Sequence, residues 1–285
     1  MSRPGNTRRI ALVGLDGCGK SSVITRMRDL APATPGAFAS ITCPDFHHTP
    51  DAPLHRLSRQ LKAFSDGCDE IGCAEMKALS MYLQMTLYGP VERFILDTFA
   101  PDVLVCERHP LIETFVYGPL YVLLAGSHWD GSALEPAITS VVDRWGAEVF
   151  RSVGRWHASE TARLGDGLTL WQRFGDVASA VQARFTTAVA DFGKRYRTTL
   201  PDAVIWLDVP PEQAADRCAG RHPSGLVETH ETPGFLAILR EGYLRFQENM
   251  AREFPNVPIH VVDSSDGVDV DSSVRACITE GRLFG

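Results

Sequence analysis

Hydrophobic positions along the chain fall into two alternating kinds of segment. Short, mainly apolar runs, "RIALVG" (9–14), "FASITC" (38–43), "PDVLVCERH" (101–109), "AVIWLD" (203–208) and "VPIHVV" (257–262), have the length and content of strands. Between them lie longer stretches with apolar side chains every three or four residues, which is the helical period. These predict helices over 20–30, 53–64, 75–99, 210–221, 234–253 and 268–281. Gly89 and Pro90 predict a kink in the long one, since proline removes an amide donor and clashes with the preceding turn. "PPEQAADRCAGR" has the proline-then-acid start of a helix.

Strands that alternate with helices predict an α/β fold, a parallel five-stranded sheet with helices on both faces. The span from 125 to 200 departs from that rhythm, because a crossover between parallel strands needs only a dozen or so residues. It holds Trp129, Trp145, Trp156 and Trp171, and both "SALEPAITSVVDRWGAEVF" (132–150) and "VASAVQARFTTAVADFGKRY" (177–196) carry helical periodicity. The expectation is one domain over 1–285 with a mostly helical insertion at 125–200. That insertion either elaborates or dimerises the domain, or walls a substrate pocket.

Composition narrows the partners. With 44% hydrophobic residues the chain can bury a full core, and its net charge of -7 excludes general affinity for nucleic acid or an anionic membrane. The seven cysteines are odd in number and contain no CxxC pair, so neither a disulfide framework nor a zinc site is indicated and a reducing cytoplasm fits. The first apolar run leads into a glycine-rich loop and not a cleavage site, so it reads as strand and not as a signal peptide. No stretch approaches the roughly 20 apolar residues that span a bilayer.

The candidate chemistry starts at "GLDGCGKSS" (14–22), which fits G-x-x-x-x-G-K-[ST] with Gly14, Gly19, Lys20 and Ser21. At ordinary glycine usage the pattern arises by chance in about one chain in a hundred of this length. Here it also sits between a strand and a helix, which is the context a phosphate loop requires. Backbone amides of Gly17, Cys18, Gly19, Lys20, Ser21 and Ser22 would converge on phosphate oxygens, reinforced by the helix N-terminus. Lys20 would neutralise the transferable phosphate of ATP, and the Ser21 hydroxyl would ligate Mg2+.

"GLDGCGKSS", with an aspartate two residues into the loop, resembles the thymidylate kinases, as do "AVIWLDVPPEQAADRCAGR" and "FLAILREGYLRF". The resemblance implies that Asp16 faces an acceptor sugar and that residues 217–232 form a lid whose Arg217 and Arg221 close over the phosphates. The middle of the chain is similar to the herpesvirus thymidine kinases and their deoxynucleoside kinase relatives. "ERHP" (107–110) implies that Glu107 acts near magnesium and Arg108 near the reacting phosphoryl. "QMTLYGP" (84–90) implies that Gln84 reads a pyrimidine edge, and the place of Tyr117 implies stacking on the base. Asp45, in "CPDFHH", stands where those kinases carry a glutamate general base. Two positions depart from the relatives: Thr86 stands where thymidylate kinases hold a monophosphate with arginine, and Tyr121 where the viral enzymes carry a second arginine.

Blander roles compete for several of these residues. Asp45 either caps a turn or serves as base, Gln84 either faces solvent or reads the acceptor, and Tyr117 either packs in the core or stacks. Arg217 and Arg221 either sit on a solvated helix face or belong to the lid. His47, His48, His109 and His222 lack metal-ligand spacing and are expected to pack or hydrogen-bond. The function expected is an ATP- and magnesium-dependent kinase acting on a nucleoside-like small molecule, with a homodimer left open. A kinase of a non-nucleoside metabolite and a nucleotide-binding protein with no acceptor are the alternatives.

Overall fold

In the computed structural model, residues 7–34, 36–49, 51–125, 146–220 and 231–284 are described. Five strands, β1 (Arg8–Gly14), β2 (Phe38–Thr42), β3 (Val103–Glu107), β4 (Ala203–Asp208) and β5 (Ile259–Asp263), form one sheet in the order β2-β3-β1-β4-β5, all parallel. The register sets Leu12 beside Glu107 on one side of β1 and Gly14 beside Leu207 on the other. The three inner strands are buried almost end to end, whereas the edge strands β2 and β5 are mostly half-buried or exposed. This is why the inner strands read as continuous apolar runs.

The helices are α1 (Lys20–Leu30), α2 (His55–Glu70), α3 (Ala74–Met85), α4 (Tyr88–Phe99), α5 (Pro110–Ala125), α6 (Ala147–Leu164), α7 (Leu170–Val181), α8 (Phe185–Tyr196), α9 (Pro211–Ala219), α10 (Pro233–Glu253) and α11 (Val270–Gly281). Helices cover both sides of the sheet, and the others pack among themselves. A short 3-10 turn covers Phe46–His48. Among the described residues no helix is long and apolar enough to cross a membrane.

The described chain divides into two compact units. One comprises Met1–Cys43, Glu92–Val116 and Thr199–Gly285, and holds the sheet with α1, α9, α10 and α11. The other comprises Pro44–Val91 and Tyr117–Thr198, and is helical, with α2 packed on α3 and α6, and α7 on α3 and α8. Ion pairs knit the second unit. Arg173, 1% exposed, reaches Asp166 at 2.7 Å and Asp176 at 3.0 Å, and Arg195 also binds Asp176.

Several sequence expectations are corrected. The long helix over 75–99 does not kink at Gly89–Pro90; it is two helices broken at Thr86–Leu87. Pro90 falls in the first turn of α4, where its missing amide has no intrahelical partner to lose. Gly89 is needed for contact, since a Cβ there would lie 2.4 Å from the Tyr196 carbonyl. The expected helix over 177–196 is likewise split at 182–184 into α7 and α8. A continuous helix over 132–150 is ruled out at Gly146, whose φ of 89° and ψ of 136° precede α6, while 126–145 lie outside the described residues. Helix α2 runs to Glu70 and not 64, the third strand is shorter than 101–109, and α5 had no counterpart in the sequence reading.

Candidate phosphate-binding site

The loop from Gly14 to Lys20 joins β1 to α1. Gly17 has φ 84°, and a Cβ on it would meet the Ala214 carbonyl of α9 at 2.3 Å, so only glycine fits. Gly19 takes the N-cap of α1 at φ 92° with no side-chain cap, and α1 carries no acid in its first turn. The positive end of the helix is therefore left to its own amides.

Lys20 is buried at 4% exposure, and its Nζ donates to the carbonyls of Gly14 at 2.9 Å and Leu15 at 2.8 Å. Cys18 Sγ lies 3.6 Å from the same ammonium; burial raises this thiol, and Lys20 and Arg108 only partly offset that, so it packs rather than reacts. Ser21 Oγ donates to Glu107 Oε1 at 2.9 Å, while Ser22 is exposed.

Glu107 and Arg108 are placed by backbone bonds on both sides. The Glu107 carbonyl accepts from Cys43 N at 3.0 Å, and Arg108 N donates to the Leu12 carbonyl at 3.1 Å. Arg108 adopts a left-handed φ of 58°, uncommon for any residue but glycine and costing on the order of 1–3 kcal/mol. Its guanidinium binds Asp16 through Nη2 and lies 3.4 Å from Glu113 Oε2 through Nη1. Glu113 is 2% exposed. Burial pushes its carboxyl above the usual range, and the Arg108 and Lys20 cations pull it partway back. Tyr243 Oη lies 2.9 Å from Glu113 Oε1 and 3.2 Å from the Gly14 carbonyl, and its ring stacks on Trp206 with centroids 5.7 Å apart.

Among the sequence-predicted residues, the structure brings Gly14, Asp16, Gly17, Cys18, Gly19, Lys20, Ser21, Glu107 and Arg108 together in the first unit. Arg217, on α9, donates to the Gly17 carbonyl at 3.4 Å, but its main partner is Asp266 at 2.6 Å. Arg221, His222 and most of the lid fall outside the described residues. Sequence reasoning misses Glu113 and Tyr243; an acid within the almost wholly apolar "PLIETFVYGPLYVLLA" is the one signal that could have marked the first.

Asp45, Gln84 and Tyr117 belong to the second unit. Asp45 precedes the 3-10 turn, where its carbonyl accepts from His48 N at 2.8 Å, yet its side chain makes no capping bond. Asp45 thus occupies the N-cap position expected of it but does not cap through its side chain, whose Oδ1 is buried with no hydrogen-bond partner among the described residues. Gln84 is 2% exposed, not a surface glutamine, and its Nε2 is likewise buried without a partner. Tyr117 is buried on α5. Thr86 is fully buried, its hydroxyl donating to the Leu83 carbonyl at 2.6 Å and accepting from Trp156 Nε1 at 2.8 Å. Arg197 Nη2 donates to the Thr86 carbonyl at 3.0 Å. His47 Nδ1 lies 3.0 Å from Ser58 Oγ. No group of three or more His, Cys, Asp or Glu able to hold a metal occurs among the described residues.

No protein-family model matches this chain, and no curated protein matches it. Among solved structures it is similar to a thymidylate kinase from Candida albicans, with a TM-score of 0.52 and 13% sequence identity, over 98% of this chain and 93% of that one. At that identity the likeness is one of fold, and the fold is that of the P-loop kinases: a five-stranded parallel sheet with helices on both sides.

Proposed function

We propose that this protein is an ATP-dependent phosphotransferase of the thymidylate kinase and deoxynucleoside kinase type, moving the γ-phosphate of ATP to a hydroxyl of a nucleoside or nucleotide-like acceptor. The observation that carries the reading is the uncapped, acid-free start of α1 with a buried Lys20 beside it and Ser21 bonded to Glu107. These groups fit a magnesium nucleotide. A single carboxylate and a hydroxyl suffice for magnesium, which keeps waters and phosphate oxygens as its other ligands and is not caged by several acids.

In this reading Gly14, Gly17, Cys18, Gly19, Lys20, Ser21 and Ser22 hold the triphosphate, and Ser21 and Glu107 hold the metal. Magnesium, when bound, neutralises charge on the phosphates. Lys20 keeps its bond to the Gly14 carbonyl and turns its other donors to anionic oxygens, bonds about twice as strong. Arg108, with Arg217 and Arg221 from the lid at 217–232, adds the remaining positive charge. Asp16 orients the acceptor and, with Glu113, fixes the Arg108 guanidinium. On the acceptor side, Asp45 takes or orients the hydroxyl proton, Gln84 reads the base edge and Tyr117 stacks. The buried, unmatched polar atoms of Asp45 and Gln84 support those roles, because such atoms cost about 1–3 kcal/mol each unless a ligand satisfies them. Chain 1–285 is taken as one kinase domain with the 125–200 insertion, acting in the cytoplasm without nucleic acid or membrane.

Thr86 favours a variant of this reading. Its hydroxyl is committed within the protein and it brings no cation, so an acceptor without a phosphate, including a non-nucleoside metabolite, suits the site better than a monophosphate. The test is incubation with ATP, magnesium and a panel of nucleosides, nucleoside monophosphates and unrelated alcohols. ADP release that depends on one acceptor, and falls about 100-fold in Lys20→Ala, is expected. Tight nucleotide binding with no acceptor-dependent turnover points instead to a binding protein. Turnover undiminished by Lys20→Ala refutes the mechanism.

A further inference from the structure

One chain of contacts in the first unit joins residues assigned to phosphate to two that are not, Glu113 and Tyr243. It runs from Asp16 to the Arg108 guanidinium, on to Glu113 Oε2 at 3.4 Å, from Glu113 Oε1 to Tyr243 Oη at 2.9 Å, and from there to the Gly14 carbonyl at 3.2 Å, which Lys20 Nζ also binds at 2.9 Å. Both cations assigned to the transferring phosphate are thus tethered to one buried acid and one buried phenol. We infer that Glu113 and Tyr243 are positioning residues that hold Arg108 and Lys20 in fixed relation to each other, and so set the site's preference for a nucleotide carrying a γ-phosphate. The inference rests on the phosphotransfer reading.

The arrangement is costly without such a use. A carboxyl at 2% exposure is disfavoured as an ion, and burial indeed raises its proton affinity. Arg108 itself is held in a left-handed backbone conformation to reach it. Tyr243 comes from α10 and is fixed from behind by its stack on Trp206, so its hydroxyl has little freedom. Side chains locked in this way keep cations oriented before the ligand arrives, which is what electrostatic catalysis requires.

The experiment compares affinities for MgADP and for the magnesium complex of the β,γ-imido analogue of ATP, by calorimetry, in the full chain and in two variants. Tyr243→Phe keeps the ring on Trp206 and removes the hydroxyl; Glu113→Gln keeps the shape and removes the charge. The expected result is a roughly tenfold loss for the triphosphate analogue with MgADP affinity held within about twofold, and a double variant no worse than the poorer single one. A merely structural role would weaken both nucleotides together. Equal losses, or none, in either variant that folds overturn the inference and leave the phosphotransfer reading standing. An unaltered chain that binds neither nucleotide overturns both.

Discussion

His109 follows Arg108 at the end of β3 and is 1% exposed. Burial, with a smaller contribution from the Arg9 cation, lowers its imidazolium from the ordinary 6.5 to about 3. The unfolded chain therefore takes up this proton near pH 6.5 and the folded chain does not until near pH 3. The resulting stability is fully present above pH 6.5 and is lost as the pH falls from there towards 3, at up to about 1.4 kcal/mol per pH unit. Between pH 7 and pH 5 the loss amounts to about 2 kcal/mol. Glu113 works in the opposite sense, because a raised carboxyl gains relative stability on acidification, so the difference from a His109→Gln variant isolates the histidine. Urea unfolding followed by circular dichroism at pH 7, 6 and 5 reads the effect directly. A variant whose stability declines with pH as steeply as the parent's would refute the argument.

Ser21→Ala removes the hydroxyl bonded to Glu107, so the magnesium concentration needed for half-maximal turnover should rise about tenfold, while nucleotide binding measured without metal stays the same. Gly17→Ala drives a Cβ towards the Ala214 carbonyl at positive φ; a loss of about 2–3 kcal/mol in stability, read from denaturant midpoints, is expected together with weakened nucleotide binding. Arg173→Gln leaves Asp166 and Asp176 without the buried cation between them, and about 3 kcal/mol should be lost, visible as a lower melting temperature.

The sheet and the phosphate loop were legible because each depends on local signals: unbroken apolar runs for inner strands, and glycine spacing ahead of a lysine for the loop. Helix α5 was hidden by its environment. Its sequence is apolar nearly all round, with Gly118 and Pro119 inside, so no polar stripe marks a helical period. The break at Thr86–Leu87 carries neither glycine nor proline, whereas the conspicuous Gly89–Pro90 pair lies safely in a first turn. The partners Glu113 and Tyr243 are 130 residues apart, and nothing in a linear pattern joins them. For Asp45 the sequence offered both a cap and a base, and only the structure shows that it sits at the N-cap of the turn without a side-chain bond.

The pairing of Ile10 with Ala203 has a consequence for biosynthesis. A ribosome adding about 5–20 residues per second makes β1 roughly 10–40 seconds before β4 exists. During that interval this buried strand of the nascent chain has an unsatisfied flank open to any neighbouring polypeptide. Truncated products ending ahead of residue 203 are accordingly the ones that chaperones must shield, and the nucleotide cradle cannot mature until β4 has been made.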